Sequence, residues 1–185
     1  MDSGELVRWA EAQATALLSG MGDRWHHVQA VTVRAHEAGR VLDEADRATL
    51  IAAAWLHDVG YAPGLANTGF HPLDGARYIR TVGQERLAGL VAHHSGARAE
   101  AELRGLSQDL AEFPDEASET TAALTYCDML TGPTGETVSL EERIADVECR
   151  YRAGHVVPRS LRLAQPELAR SIDFIEGKLR QLDHA

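Results

Sequence analysis

Apolar positions recur along the chain at spacings of three and four, the period of a helix with one buried face. Over residues 4–19 the stripe is Leu6, Val7, Ala10, Ala14, Leu17 and Leu18, and Gly20 and Gly22 follow as a stop. A second helix is predicted over 24–40, capped by Asp23, and a third over 44–59, ending at Gly60. YAPGLANTG (61–69) reads as a loop from its Gly, Pro and Asn content. His71–Pro72 opens a helix to about Val82, with Pro in the favoured first turn. Further helices are predicted over 84–95, 97–105, 118–131 and 140–153, the last with Ser139 and Glu142 as a capping box. A final helix is predicted over 166–182, starting at Pro166. Strand-like alternation is absent, as are internal repeats and linkers. The expectation is one all-α domain spanning 1–185, with a core at about 24–131 and C-terminal helices at about 140–182.

Composition narrows the picture. Aromatic residues are only 5% of a chain that is 44% hydrophobic, so Ala, Leu and Val must fill the core. A net charge of −10 argues against non-specific nucleic acid or an anionic membrane as partner. Lys178 is the only lysine, so almost every cation is an arginine. Cys127 and Cys149 lie inside predicted helices, outside any CxxC pattern; buried thiols are expected, not a disulfide. No run approaches the roughly 18 apolar residues of a membrane span. The N-terminus is acidic and amphipathic, unlike a signal peptide, and a cytoplasmic setting is expected.

The polar residues that share apolar stripes carry the chemistry. His27 shares a face with Val31, Ala35, Ala38 and Leu42, whereas His26 sides with polar Gln29. His57 and Asp58 close the third helix on neighbouring inward faces. His94 continues the stripe of Leu87, Leu90 and Val91, while His93 is turned off it by about 100°. Asp128 follows Thr121 and Leu124 inward, and His71 opens from the loop. A buried carboxylate needs a partner, and a metal ion is a good one. His36, His155 and His184 have no such company and are expected on the surface.

His27, His57-Asp58 and Asp128, in that order, resemble the signature of the HD-domain superfamily of metal-dependent phosphohydrolases. The surrounding RWHHVQAV, WLHDVGY and ALTYCDML fit, and GFHPLDGARYI and VAHHSGA resemble the extra-histidine segments of dinuclear members. The resemblance implies a helical bundle with a central metal site. His27, His57, Asp58 and Asp128 match the first ion's ligands; His71 and His94 match the second's, with Asp58 bridging and His93 as the alternative to His94. One or two divalent ions per chain, Fe or Mn, are expected, with Asp58 as catalytic residue and a metal-activated water as nucleophile. The expected substrate is a nucleotide or other small phosphate ester.

Many members carry a lysine three residues after the motif Asp, where this chain has Tyr61. A cationic donor to the phosphoryl oxygen is then either missing or replaced by an arginine; Arg98, Arg150, Arg77 and Arg143 are the candidates, with Tyr61 as a neutral donor. The same ligands also serve two rival readings. One is a diiron oxygenase, as in myo-inositol oxygenase; the other is a non-catalytic sensor or interaction domain.

Overall fold

A computed structural model describes residues 1–152 and 154–184. Helices run over Ser3–Leu18 (α1), Asp23–Ala38 (α2), Glu44–Leu56 (α3), His71–Thr81 (α4), Glu85–His93 (α5), Ala97–Arg104 (α6), Ser107–Leu110 (α7), Glu119–Met129 (α8), Leu140–Arg150 (α9) and Val156–Asp183 (α10). There is no strand among the described residues, only an isolated bridge between Thr131 and Thr137. The fold is all-α, and no described helix is long and apolar enough to cross a membrane.

The Ala-rich segment before the His-Asp pair is the axis of the bundle. Leu50, Ala52, Ala53, Ala54 and Leu56 of α3 are fully buried. Small side chains on every face let α1, α2, α5 and α8 all pack against it. Trp25 of α2 stacks on Trp55 of α3 with ring centroids 5.7 Å apart, closing one seam. Because the helix is surrounded, whatever its C-terminal end carries is delivered to the middle of the protein.

Several boundaries differ from the sequence expectation. The N-cap of α2 is Gly22, and Asp23 is already helical and caps nothing. α3 ends at Leu56; His57 is its C-cap, and Asp58 has left helical geometry (φ −103°, ψ 5°). Gly60 is therefore not needed to release the helix. Its role is space: a Cβ there would stand 2.0 Å from the carbonyl oxygen of His71 and 2.7 Å from the amide of Gly75. α10 starts ten residues before Pro166, capped by His155, and passes through the proline. Its buried stripe of Ser160, Ala164, Leu168, Ile172 and Ile175 is continuous across that point, so tertiary packing offsets the lost hydrogen bond. The short α7 had no periodicity to announce it. The capping box of Ser139 and Glu142 is present. Cys127 is buried but Cys149 is exposed on the outer face of α9, and both are free thiols.

Candidate metal centre

Three helix ends and two helix starts meet at the centre. His27 comes from the first turns of α2, His57 and Asp58 from the end of α3, His71 from the start of α4, His94 from just after α5, and Asp128 from the last turn of α8. The loop before α4 is tied down by Asp74, whose carboxylate accepts from the amides of Asn67 and Thr68 and from the Thr68 hydroxyl. That knot fixes where α4 begins, and so where His71 points.

The ring orientations are set from behind. Nδ1–H of His27 donates to the carbonyl of Gly132 at 3.0 Å, that of His57 to Ala54 at 2.8 Å, and that of His94 to Val91 at 2.6 Å. A neutral imidazole that donates from Nδ1 carries its lone pair on Nε2. Nε2 of His27 then faces Nε2 of His57 at 3.4 Å and Oδ1 of Asp128 at 3.0 Å. Nε2 of His57 is 3.8 Å from the same oxygen. Acceptors thus converge with too few protons to share, which is the donor arrangement of a cation site.

The six side chains divide into two groups of three, each with its ligand atoms within 4.8 Å of one another: His27, His57 and Asp128, and Asp58, His71 and His94. In the second group Nε2 of His71 is 3.3 Å from Oδ1 of Asp58 and 3.2 Å from Nε2 of His94. Ligands about 2.1 Å from one ion lie about 3.0 Å apart at right angles and about 3.4 Å apart at tetrahedral angles. These residues therefore fit one divalent ion per group. Asp58 faces both: Oδ1 looks to His71, while Oδ2 is 3.5 Å from His57 and 3.9 Å from His27.

Electrostatics agree with that fit. Burial opposes ionisation of Asp58, yet Arg24 and the imidazoles around it hold the carboxyl well below the usual carboxylate range. Burial likewise opposes Asp128, and the hydrogen bond it accepts from Nε2–H of His27 when that ring is protonated overcomes it. Burial keeps His57 and His71 neutral, the state that ligates metal.

His93 lies outside the centre. Its Nε2–H donates to the carbonyl of Phe113 at 2.9 Å, so the neighbouring His94 is the one brought to the cluster, as helical phase implies. His26, His36, His155 and His184 are exposed.

The centre opens through a small cavity of about 80 Å³ into a larger one of about 320 Å³. Of the predicted phosphate-binding arginines, Arg143 lines both and Arg150 lines the larger. Arg98 does not: it is 76% exposed and pairs with Glu167 on α10. Arg77 also lines neither cavity and pairs with Asp109 near the surface. Both expectations rested on sequence proximity to a histidine, but each side chain leaves its helix on the side away from the centre.

Arg24 is the residue the sequence reading overlooked. Its Nη1 donates to Oδ2 of Asp58 at 2.6 Å, its guanidinium lies 3.9 Å over the ring of Tyr61, and it lines both cavities. A signal existed: Arg24 precedes His27 by three, so both share a face of α2. Tyr61 stacks in turn on His71, with centroids 4.1 Å apart.

An all-α bundle with paired imidazole-carboxylate groups sunk at its centre defines a class of metal-binding helical domain. The sequence model of the HD domain matches residues 24–154, and the chain belongs to that family. No curated relative and no solved structure gives a match.

Proposed function

We propose that this HD domain is a metal-dependent phosphohydrolase acting on a small phosphate ester or a nucleotide. One observation carries the reading: two guanidiniums, Arg24 and Arg143, flank the imidazole-carboxylate cluster where it opens to a cavity of substrate size. Arg143 is only 12% exposed and stands 3.9 Å from Asp128 and 4.0 Å from Asp146, beyond hydrogen-bond distance of either. A desolvated guanidinium with free donors suits a phosphate oxygen. Arg24 takes the part of the missing lysine, a fixed positive charge next to the motif Asp. Arg150 guards the rim of the larger cavity.

In this reading His27, His57 and Asp128 would hold one divalent ion and His71 and His94 a second, with Asp58 placed to serve both. Bound divalent ions supply a hydroxide nucleophile near neutral pH and screen phosphate charge. Nitrogen and oxygen donors without thiolate suit Mn or Fe. Arg24 and Arg143 orient the phosphoryl group and stabilise the charge that grows on its oxygens. We read the chain as one cytoplasmic domain whose partner is a small phosphorylated molecule rather than bulk nucleic acid.

The test is phosphate release from a panel of nucleotides, sugar phosphates and an aryl phosphate, with Mn, Fe(II), Co, Ni or Mg supplied. Release is expected with Mn or Fe, and Asp58→Ala abolishes it while the fold survives. No release with any metal overturns the reading. Oxygen uptake with Fe(II) in that case points to an oxygenase, and its absence to a sensor or interaction domain.

A further inference from the structure

Between His94 and Gly96 the backbone makes a turn that the metal ligands alone do not require. Ser95 stands in the left-handed region (φ 50°, ψ 42°), and Gly96 follows there too (φ 77°). Gly96 has a reason of its own, since a Cβ would meet the Cβ of Ala164 in α10 at 2.5 Å. Ser95 has no such steric reason, and a side chain in this conformation is strained where glycine is not. What the serine adds is its hydroxyl, which donates to Oδ2 of Asp128. Asp128 presents its other oxygen, Oδ1, to His27 and His57. Ser95 lines both cavities, and Ala117 is the other described non-glycine residue with positive φ.

We propose that Ser95 is a positioning residue: its hydroxyl occupies one oxygen of Asp128 so that only the other faces the ion held with His27 and His57. Retained strain at a functional site points to a selected contact. The arrangement also couples the two ligand groups. His94 belongs to one and Asp128 to the other, and Ser95 is bonded covalently to the first and by a hydrogen bond to the second. Outer partners of ligating carboxylates typically matter 10- to 100-fold in metal affinity. The proposal rests on the metal-binding part of the function proposed above, not on phosphate release.

The test is Ser95→Gly beside Ser95→Ala, with metal affinity measured by competition against a chromophoric chelator, the visible spectrum of the Co(II) form, and the melting temperature of the metal-free protein. Glycine removes the strain and the hydroxyl together. Ser95→Gly is expected to melt no lower than the parent when metal-free, yet to bind metal about 10- to 100-fold more weakly with a shifted Co(II) spectrum. Ser95→Ala keeps the strain and loses the hydrogen bond, so both its affinity and its melting temperature should fall. Parental affinity and an unshifted spectrum in Ser95→Gly overturn the proposal. So does a weaker Ser95→Gly whose metal-free melting temperature has dropped in step, because the residue is then merely structural. A parent that binds no metal sinks the metal-binding reading itself, an outcome separate from these.

Discussion

Nη1 of Arg24 lies 2.6 Å from Oδ2 of Asp58, and this ion pair sits where the metal centre meets the cavities. Burial opposes the charge on Arg24, but Asp58 outweighs it and raises the guanidinium further above its ordinary range. The pair is therefore charged on both sides at neutral pH. It gives Arg24 two duties: it compensates a buried carboxylate, and it holds a cation one side chain away from the ions that carboxylate would bridge.

Those duties separate experimentally. Arg24→Ala leaves Asp58 buried without its cation, which should lower the stability of the metal-free protein by about 1–3 kcal/mol. Added Mn or Fe should restore most of that loss, because the ion takes over the compensation. Catalysis should not recover: kcat/KM for phosphate release should stay about 100-fold down, since a guanidinium aimed at developing charge is lost. Denaturation with and without metal, beside steady-state kinetics, checks both halves. Full activity in metal-loaded Arg24→Ala would remove Arg24 from phosphate recognition.

The other arginines are ranked by burial. Arg143→Ala should lower kcat/KM by about 10-fold or more, a loss of at least about 1.4 kcal/mol in transition-state binding. Arg98→Ala should be indistinguishable from the parent, because Arg98 is exposed and an isolated surface pair contributes little. The reverse order would mean that substrate approaches over α6 instead of through the cavities.

Nuclearity is tested by the histidines of the second group. His71→Ala and His94→Ala should each bring metal content from two ions per chain toward one, measured by elemental analysis after desalting. His93→Ala should leave the content unchanged, since His93 hydrogen-bonds to Phe113 outside the centre. Unaltered content in both ligand variants would make His71 and His94 structural.

How much of this centre was legible beforehand follows from what each residue depends on. His27 and Asp128 were readable because helical phase decides which way they point, and His94, one residue past the end of α5, still continues the stripe of Leu87, Leu90 and Val91. Asp58 was readable as buried because it directly follows the buried end of α3, although it has itself left helical geometry. Arg24 was less so, since its value comes from Asp58 and Tyr61, residues far along the chain that only the packing of α2 on α3 brings close. Ser95 was invisible, because nothing in a sequence marks a serine as left-handed. Arg98 misled because its place just after His93 and His94 says nothing about direction once a new helix has begun. The start of α10 was misplaced for a different reason: Pro166 is a strong local signal, and the buried stripe that overrides it is tertiary.

The metal-free protein should show a stability maximum near neutral pH. Burial holds His57 and His71 below the ordinary histidine value of 6.5. The unfolded chain binds protons there that the folded chain does not, so stability rises with pH up to about 6.5. Both rings contribute to this term with the same sign. His27 has the opposite sign. Burial disfavours its charge, but the hydrogen bond to Asp128 wins and raises its value. Its contribution is present below 6.5 and is lost as pH rises through the folded value. Asp58 and Asp128, held below the ordinary 3.8, add a further loss as pH falls under that value. Melting temperatures in chelator from pH 4.5 to 8.5 check this, and a maximum at pH 5 would contradict it.

Gly60→Ala tests how tightly the second ligand group is built. The segment Val59–Tyr61 is a 3₁₀ turn running along the start of α4. A Cβ on Gly60 would lie 2.0 Å from the carbonyl oxygen of His71 and 2.7 Å from the amide nitrogen of Gly75. Both are backbone atoms, so no rotamer change relieves the clash; α4 must move away from α3. Overpacking of this kind costs about 1–3 kcal/mol, and more where the backbone cannot yield. Movement of α4 carries His71 with it, and His71 stands 3.3 Å from Asp58. Gly60→Ala should therefore melt well below the parent and, where it folds, retain about one ion per chain instead of two. Gly64→Ala, at a loop position where a Cβ meets nothing within 4 Å, is the control and should match the parent in both respects. A Gly60→Ala protein of parental stability and full metal content would show that α4 and His71 are free to shift, and that the second group is not preformed.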